Sequence, residues 1–142
     1  PLPWPLALPR LTPDEAANLA TATPLYEAAG RGDWPAAEAE LHDDLVIHEA
    51  ASLPYGGTYH GKGALKQLVT LVGGHWPGAS FERTGMAAGA GRVVVFFTFS
   101  FDAPGGRRSH EIVEVNEFKD GRIATIKPFY WDTGDLQKLG KE

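Results

Sequence analysis

The chain has 142 residues, no cysteine, and 13 Lys+Arg against 18 Asp+Glu, a formal net charge of −5. One domain of this length buries roughly two-thirds of its unfolded surface and needs no disulfide or metal staple. The absence of cysteine excludes thiolate-bound zinc and a thiol nucleophile, and it fits a reducing cytoplasm. Scattered basic residues under an acidic balance argue against a nucleic-acid or membrane surface, and a 43% hydrophobic fraction describes a folded chain.

Residues 1–12 read as an extended, proline-rich arm. Its four prolines prevent a continuous apolar helix, so Trp4, Leu6 and Leu8 need cover from the domain or from a partner subunit. The stretch lacks the basic leading region of a signal peptide, and no segment reaches the ~20 apolar residues of a membrane span. Residues 13–142 read as one domain. Thr12 caps the first helix, with Pro13 at its first position and Glu15 placed to close a capping box. Pro24 predicts a kink or break near Thr23, and the helix stops at Gly30 or Gly32. Asp33 caps a short second helix, WPAAEAELH, ending about His42. DLVIHEAAS is the first strand, LPYGGTYHG a glycine-rich turn, and GKGALKQLVTLVGGHW a third helix with Leu65, Leu68, Val69, Val72 and Trp76 on one face. Everything after it reads as strand: ASFERTGMAA, RVVVFFTFSF, SHEIVEVNEF and RIATIKPFYW, joined by turns at Gly89 and Gly91, at APGGRR and at KDG. Helices followed by a run of strands predict an α+β fold, a curved antiparallel sheet of about five to six strands with three helices from the N-terminal half across its concave side.

The strand HEIVEVNEF has neither a plain core face nor a plain wet face. His110, Ile112, Glu114, Asn116 and Phe118 share one side, while Glu111, Val113, Val115 and Glu117 share the other. A histidine, a glutamate and an asparagine along one side of a strand need a role that neither a core nor a wet surface supplies.

The runs GDWPAAEAELHDDLVIHEAASLPYGGTYHGKGAL and NEFKDGRIATIKPFYWDT resemble the SnoaL-like group of the nuclear transport factor 2-like superfamily, over about residues 14–135. That resemblance implies a cone-shaped sheet around an apolar pocket, commonly in a homodimer, and no single activity. Its members include ketosteroid isomerase, polyketide cyclases, epoxide hydrolases, dehydratases and plain binding domains. The same resemblance puts His110, Ile112, Glu114 and Asn116 on the concave face, turns His48 and Ala50 inward on the first strand, and adds Tyr130 and Tyr26. Tyr55 and Tyr59, beside a Gly56–Gly57 lid, and Trp76 complete the expected lining.

Glu114 is the expected base or acid, because a carboxylate on a half-apolar wall is desolvated and its pKa rises toward neutrality. The alternative for it is a wet rim position or an ion pair with Arg107, Arg108 or Lys127. His48 is its expected partner, and the alternative there is a satisfied core histidine. Tyr26, Asn116 and Tyr130 are expected to position substrate oxygens. A metal site is not expected: His110 and Glu114 lie ~13 Å apart along the strand, beyond the ~4 Å that two ligands of one ion span, and the five histidines show no ligand spacing. The Asp–Arg–Asp set of epoxide hydrolases is absent, with Pro128 where a carboxylate would stand. The expected function is a cofactor-independent acid/base enzyme of isomerase, cyclase or dehydratase type on an apolar oxygenated small molecule. A non-catalytic ligand-binding or dimerisation domain is the alternative, with an epoxide hydrolase a further one. A homodimer is expected, since RVVVFFTFSF places Phe97, Phe99 and Phe101 on one face and Val94 and Phe96 on the other.

Overall fold

A computed structural model of the protein describes residues 10–140. The proline-rich arm, with Trp4, Leu6 and Leu8, lies outside the described residues apart from its last three positions.

The elements follow in the order α1 (Pro13–Gly30), α2 (Trp34–Glu38), β1 (Leu41–Glu49), β2 (Gly57–His60), α3 (Ala64–His75), β3 (Ser80–Gly89), β4 (Arg92–Ala103), β5 (Gly106–Lys119), β6 (Arg122–Tyr130) and α4 (Thr133–Leu139). Thr12 caps α1 by accepting from the Glu15 amide at 3.1 Å. Pro24 does not break this helix, which runs on as a single element to Gly30. Proline removes one backbone donor there, and burial of Ala22, Leu25 and Ala28 against the sheet compensates for that loss.

The six strands form one curved sheet in the order β2-β1-β6-β5-β4-β3. Every neighbouring pair is antiparallel except β1 and β6, which run parallel, with Val46 opposite Thr125 and Ile47 opposite Ile126. The expected curved antiparallel sheet is present in the other four pairs, and this one parallel pair is its exception. It arises because β1 precedes the helical crossover while β6 ends the meander. The β5–β6 hairpin turns on Asp120 and Gly121, both with positive φ, as a two-residue turn between right-twisted strands requires.

Three further departures come from short elements. LPYGGTYHG is not only a turn, because Gly57–His60 pair with β1 as an edge strand. The second helix ends at Glu38, and β1 starts three residues later. The chain also closes with a helix, α4, which Asp132 caps by accepting from the Asp135 amide at 3.0 Å. Asp135 fixes α4 to β5, with Arg108 at 2.7 Å and His110 at 3.0 Å from its carboxylate.

Helix α1 lies over β3, β4 and β6, and α3 over β1 and β2, so both cover the same face of the sheet. Phe99, Phe101, Leu41, Leu45, Ile47, Ile123 and Ile126 are fully buried between the layers. Where the layers diverge, the face stays open and a cavity remains.

Candidate active site

The cavity holds about 280 Å³ between α1, α3 and the concave face of the sheet. Leu65, Leu68, Val69 and Val72 of α3 form one wall, Phe81 and Phe97 the opposite one, and Ile112 part of the floor. Four residues interrupt this apolar surface from within: Tyr26, Glu49, Glu114 and Tyr130.

Glu114 comes from β5, whose parity is the one the sequence suggests. His110, Ile112 and Asn116 are buried, while Glu111 and Glu117 are exposed. Tyr26 of α1 reaches down onto this strand, its hydroxyl 2.9 Å from Glu114 Oε1 and 2.9 Å from Asn116 Oδ1. A hydroxyl has one proton and cannot donate twice. The contacts are compatible when the tyrosyl proton goes to the carboxylate and the Asn116 amide turns its Nδ2 toward the tyrosyl oxygen, which also gives a partner to a nitrogen otherwise orphaned in a fully buried position. Burial pushes the Glu114 carboxyl up to about 7, with the Tyr26 hydrogen bond pulling the other way. Arg107 is engaged by Asp102 and Arg108 by Asp135, so neither neutralises Glu114.

The ionisable group that shares the cavity with Glu114 is the carboxyl of Glu49, not the imidazole of His48. On β1 the buried residues are Leu41, Leu45, Ile47 and Glu49, and His48 is exposed on the opposite face. Strand alternation therefore removes His48 and Ala50 from the pocket and puts in it a residue the sequence reading passed over. Glu49 is 6% exposed; its Oε1 accepts from the Ala50 amide at 3.3 Å, and its Oε2 from Tyr130 at 3.4 Å. Behind it Tyr55 contacts Tyr130 at 3.3 Å and accepts from the Trp76 indole at 3.2 Å. Burial first, and then the charge of Glu114, push Glu49 up to about 8. Burial likewise holds the Tyr26 and Tyr130 phenols well above their ordinary range, so both stay protonated as donors.

Sheet register explains why these carboxyls converge. Glu114 lies opposite Pro128 on β6, and the β1–β6 register, carried on two residues from Ile47 and Ile126, brings Glu49 to the other side of the same proline. A buried proline between two carboxyls offers neither a charge nor an N–H to neutralise them.

The remaining expected residues fall elsewhere. Tyr55 and Trp76 are buried behind Tyr130, and the Tyr59 hydroxyl donates to the Tyr55 carbonyl. His110 stacks on Phe101 with ring centroids 5.8 Å apart. Asn116 sits beneath Tyr26 and does not line the cavity. In the Gly56–Gly57 turn a Cβ on Gly56 would collide with the Ala50 carbonyl, so Gly56 serves a close backbone approach. Among the described residues no group of three His, Cys, Asp or Glu side chains is placed to hold a metal ion. No helix among them is long and apolar enough to cross a membrane.

A family model described as SnoaL-like domain matches residues 22–126. No curated protein sequence matches the chain. Among solved structures, the chain is similar to an NTF2-like protein of unknown function from Burkholderia pseudomallei K96243, at 27% identity and a TM-score of 0.75, covering 89% of this chain and 98% of that one. TerC, co-crystallised with polyporic acid, is 19% identical with a TM-score of 0.74, over 89% of this chain and 99% of its own. A putative SnoaL-like polyketide cyclase from Jannaschia sp. CCS1 is 13% identical with a TM-score of 0.73, over 95% and 99%. The last two likenesses extend to the fold alone.

Proposed function

Because the chain belongs to the SnoaL-like domain family, a fold shared by polyketide cyclases and isomerases, we propose that its concave cavity is the active site of a cofactor-independent acid/base enzyme acting on an apolar, oxygenated small molecule. One observation carries this reading. Two glutamates enter one apolar cavity, and among the described residues neither has a cationic partner.

Their protonation supports distinct roles. Glu114 loses its proton first, helped by the Tyr26 hydrogen bond, and its charge then holds the proton on Glu49. Near neutral pH the pair carries one proton, with Glu114 as base and Glu49 as acid. Glu114 takes a proton from a carbon beside a substrate carbonyl, and the oxygen that gains charge accepts hydrogen bonds from the Glu49 carboxyl and from the Tyr130 hydroxyl, whose one proton turns from Glu49 Oε2 to the substrate. Returning the proton from Glu114 to a different carbon gives isomerisation. Loss of a β-hydroxyl that takes the Glu49 proton, leaving as water, gives dehydration. Glu49 thus replaces His48 as the partner, and Asn116 acts through Tyr26.

The test is deuterium exchange. Apolar cyclic ketones incubated with the protein in D₂O are expected to gain deuterium beside the carbonyl, and Glu114→Gln is expected to slow that gain by ~100-fold or more. Ketones that bind and exchange no faster than in buffer would leave the cavity as a binding site without chemistry.

A further inference from the structure

We propose that Arg83 reads an anionic oxygen group at the mouth of this cavity, so that the ligand is a small apolar carboxylate whose head stays at the rim while its neutral end faces Glu49 and Glu114. The proposal rests on the cavity being a ligand site and goes beyond the acid/base reading in naming the ligand's charge and orientation.

Exposed lining residues mark the mouth, Phe81 at 43%, Val69 at 38%, the Glu27 side chain at 54% and also Gly30, and the half-buried Arg83 side chain, at 29%, lies beside Glu27. Glu49 and Ile112 mark the depth. Among the described residues Arg83 is the only cation in the lining. It is there because of a defect in the sheet. Arg83 pairs with Phe97 and Gly85 with Phe96, so Thr84 is an extra residue and β3 bulges between them. The bulge shifts the alternation, keeping Phe81 and Arg83 on the side facing the cavity while Met86 and Ala88 beyond it still pack against the core.

A guanidinium so placed is poorly used by the protein itself. Its Nη1 reaches the Thr23 carbonyl only at 3.5 Å and the Met86 sulfur at 4.0 Å, and its Nη2 lies 3.7 Å from Glu27. A half-exposed pair at that distance contributes little. The planar fork remains available to a carboxylate, which it can engage through two parallel hydrogen bonds. Charge then sets the orientation. An ionised Glu114 at depth repels a second anion, whereas the rim attracts it, so the anionic end stays out and the reacting end goes in.

Isothermal titration at low ionic strength with 1-naphthoate and its neutral methyl ester tests this. The wild-type protein is expected to bind the acid about tenfold more tightly than the ester, the scale of one charge-assisted bond. Arg83→Met, which keeps the apolar stem, is expected to abolish that preference while retaining ester affinity, and the retained affinity shows that the cavity is intact. Glu27→Gln, which removes the competing carboxylate, is expected to tighten the acid and leave the ester unchanged. Equal binding of acid and ester by the wild type, or equal loss of both in Arg83→Met, would overturn the proposal and leave Arg83 as a bridge between α1 and β3. Binding of neither probe would remove the cavity as a ligand site and the proposal with it.

Discussion

Replacing Glu114 by Gln keeps the shape of the side chain and its acceptor toward the Tyr26 hydroxyl, and removes only the ionisable group. The effect on stability is calculable and has a definite pH dependence. In the folded protein Glu114 holds its proton up to about 7, against an ordinary value of 4.5. Below 4.5 the glutamate is protonated in both folded and unfolded chains, and the variant and wild type are expected to have nearly equal stability. As pH rises from 4.5, the unfolded chain ionises and the folded chain does not. Wild-type stability is therefore lost progressively until the folded group also ionises near 7. By pH 8 the accumulated loss is about 3 kcal/mol, which Glu114→Gln recovers as a rise in melting temperature of about 6–12 °C. Urea unfolding at pH 4 and pH 8 reads both limits, and turnover is expected to fall ~100-fold or more in the same variant. A stability change independent of pH, or a variant less stable at pH 8, would refute the desolvated carboxyl.

Tyr26→Phe removes the one hydrogen bond that lowers the Glu114 pKa, so the acidic limb of the rate profile is expected to move to higher pH, where an unmoved limb would detach Tyr26 from the base. His48→Ala is expected to leave turnover unchanged and stability within about 0.5 kcal/mol, since the imidazole is exposed away from the cavity; a lost turnover would restore it to the site. We also propose a homodimer through the outer sheet face, where Phe96 is 40% and Phe129 49% exposed, and sedimentation showing a monomer at high micromolar concentration would count against it.

Legibility in the sequence followed contrast between strand faces. In β5 the alternation set Ile112, Glu114 and Asn116 against Val113 and Val115 with charged ends, and the turn DG fixed where the strand ended, so Glu114 could be placed. In β1 both faces mix aliphatic and polar residues: Leu45, Ile47 and Glu49 against Val46, His48 and Ala50. The usable signal was bulk, because the larger aliphatics lie on the buried face and Glu49 follows their parity. Arg83 depends on a bulge, which shifts parity without a mark in composition. The edge strand β2 and the helix α4 are four and seven residues long, too short for periodicity to register. Convergence of Glu49 and Glu114 needed the parallel β1–β6 pairing, a long-range contact that local pattern does not encode.

Carbon-13 resonances of δ-carboxyl-labelled glutamates, followed from pH 3 to pH 10, test the central claim most directly. Two resonances are expected to titrate far above the rest, one near 7 that disappears in Glu114→Gln and one near 8 that disappears in Glu49→Gln. In Glu114→Gln the remaining high resonance is expected to move down, since the charge that holds the proton on Glu49 is gone. If every glutamate titrates below about 5, as exposed carboxyls do, the cavity holds two ordinary carboxylates and no acid/base pair.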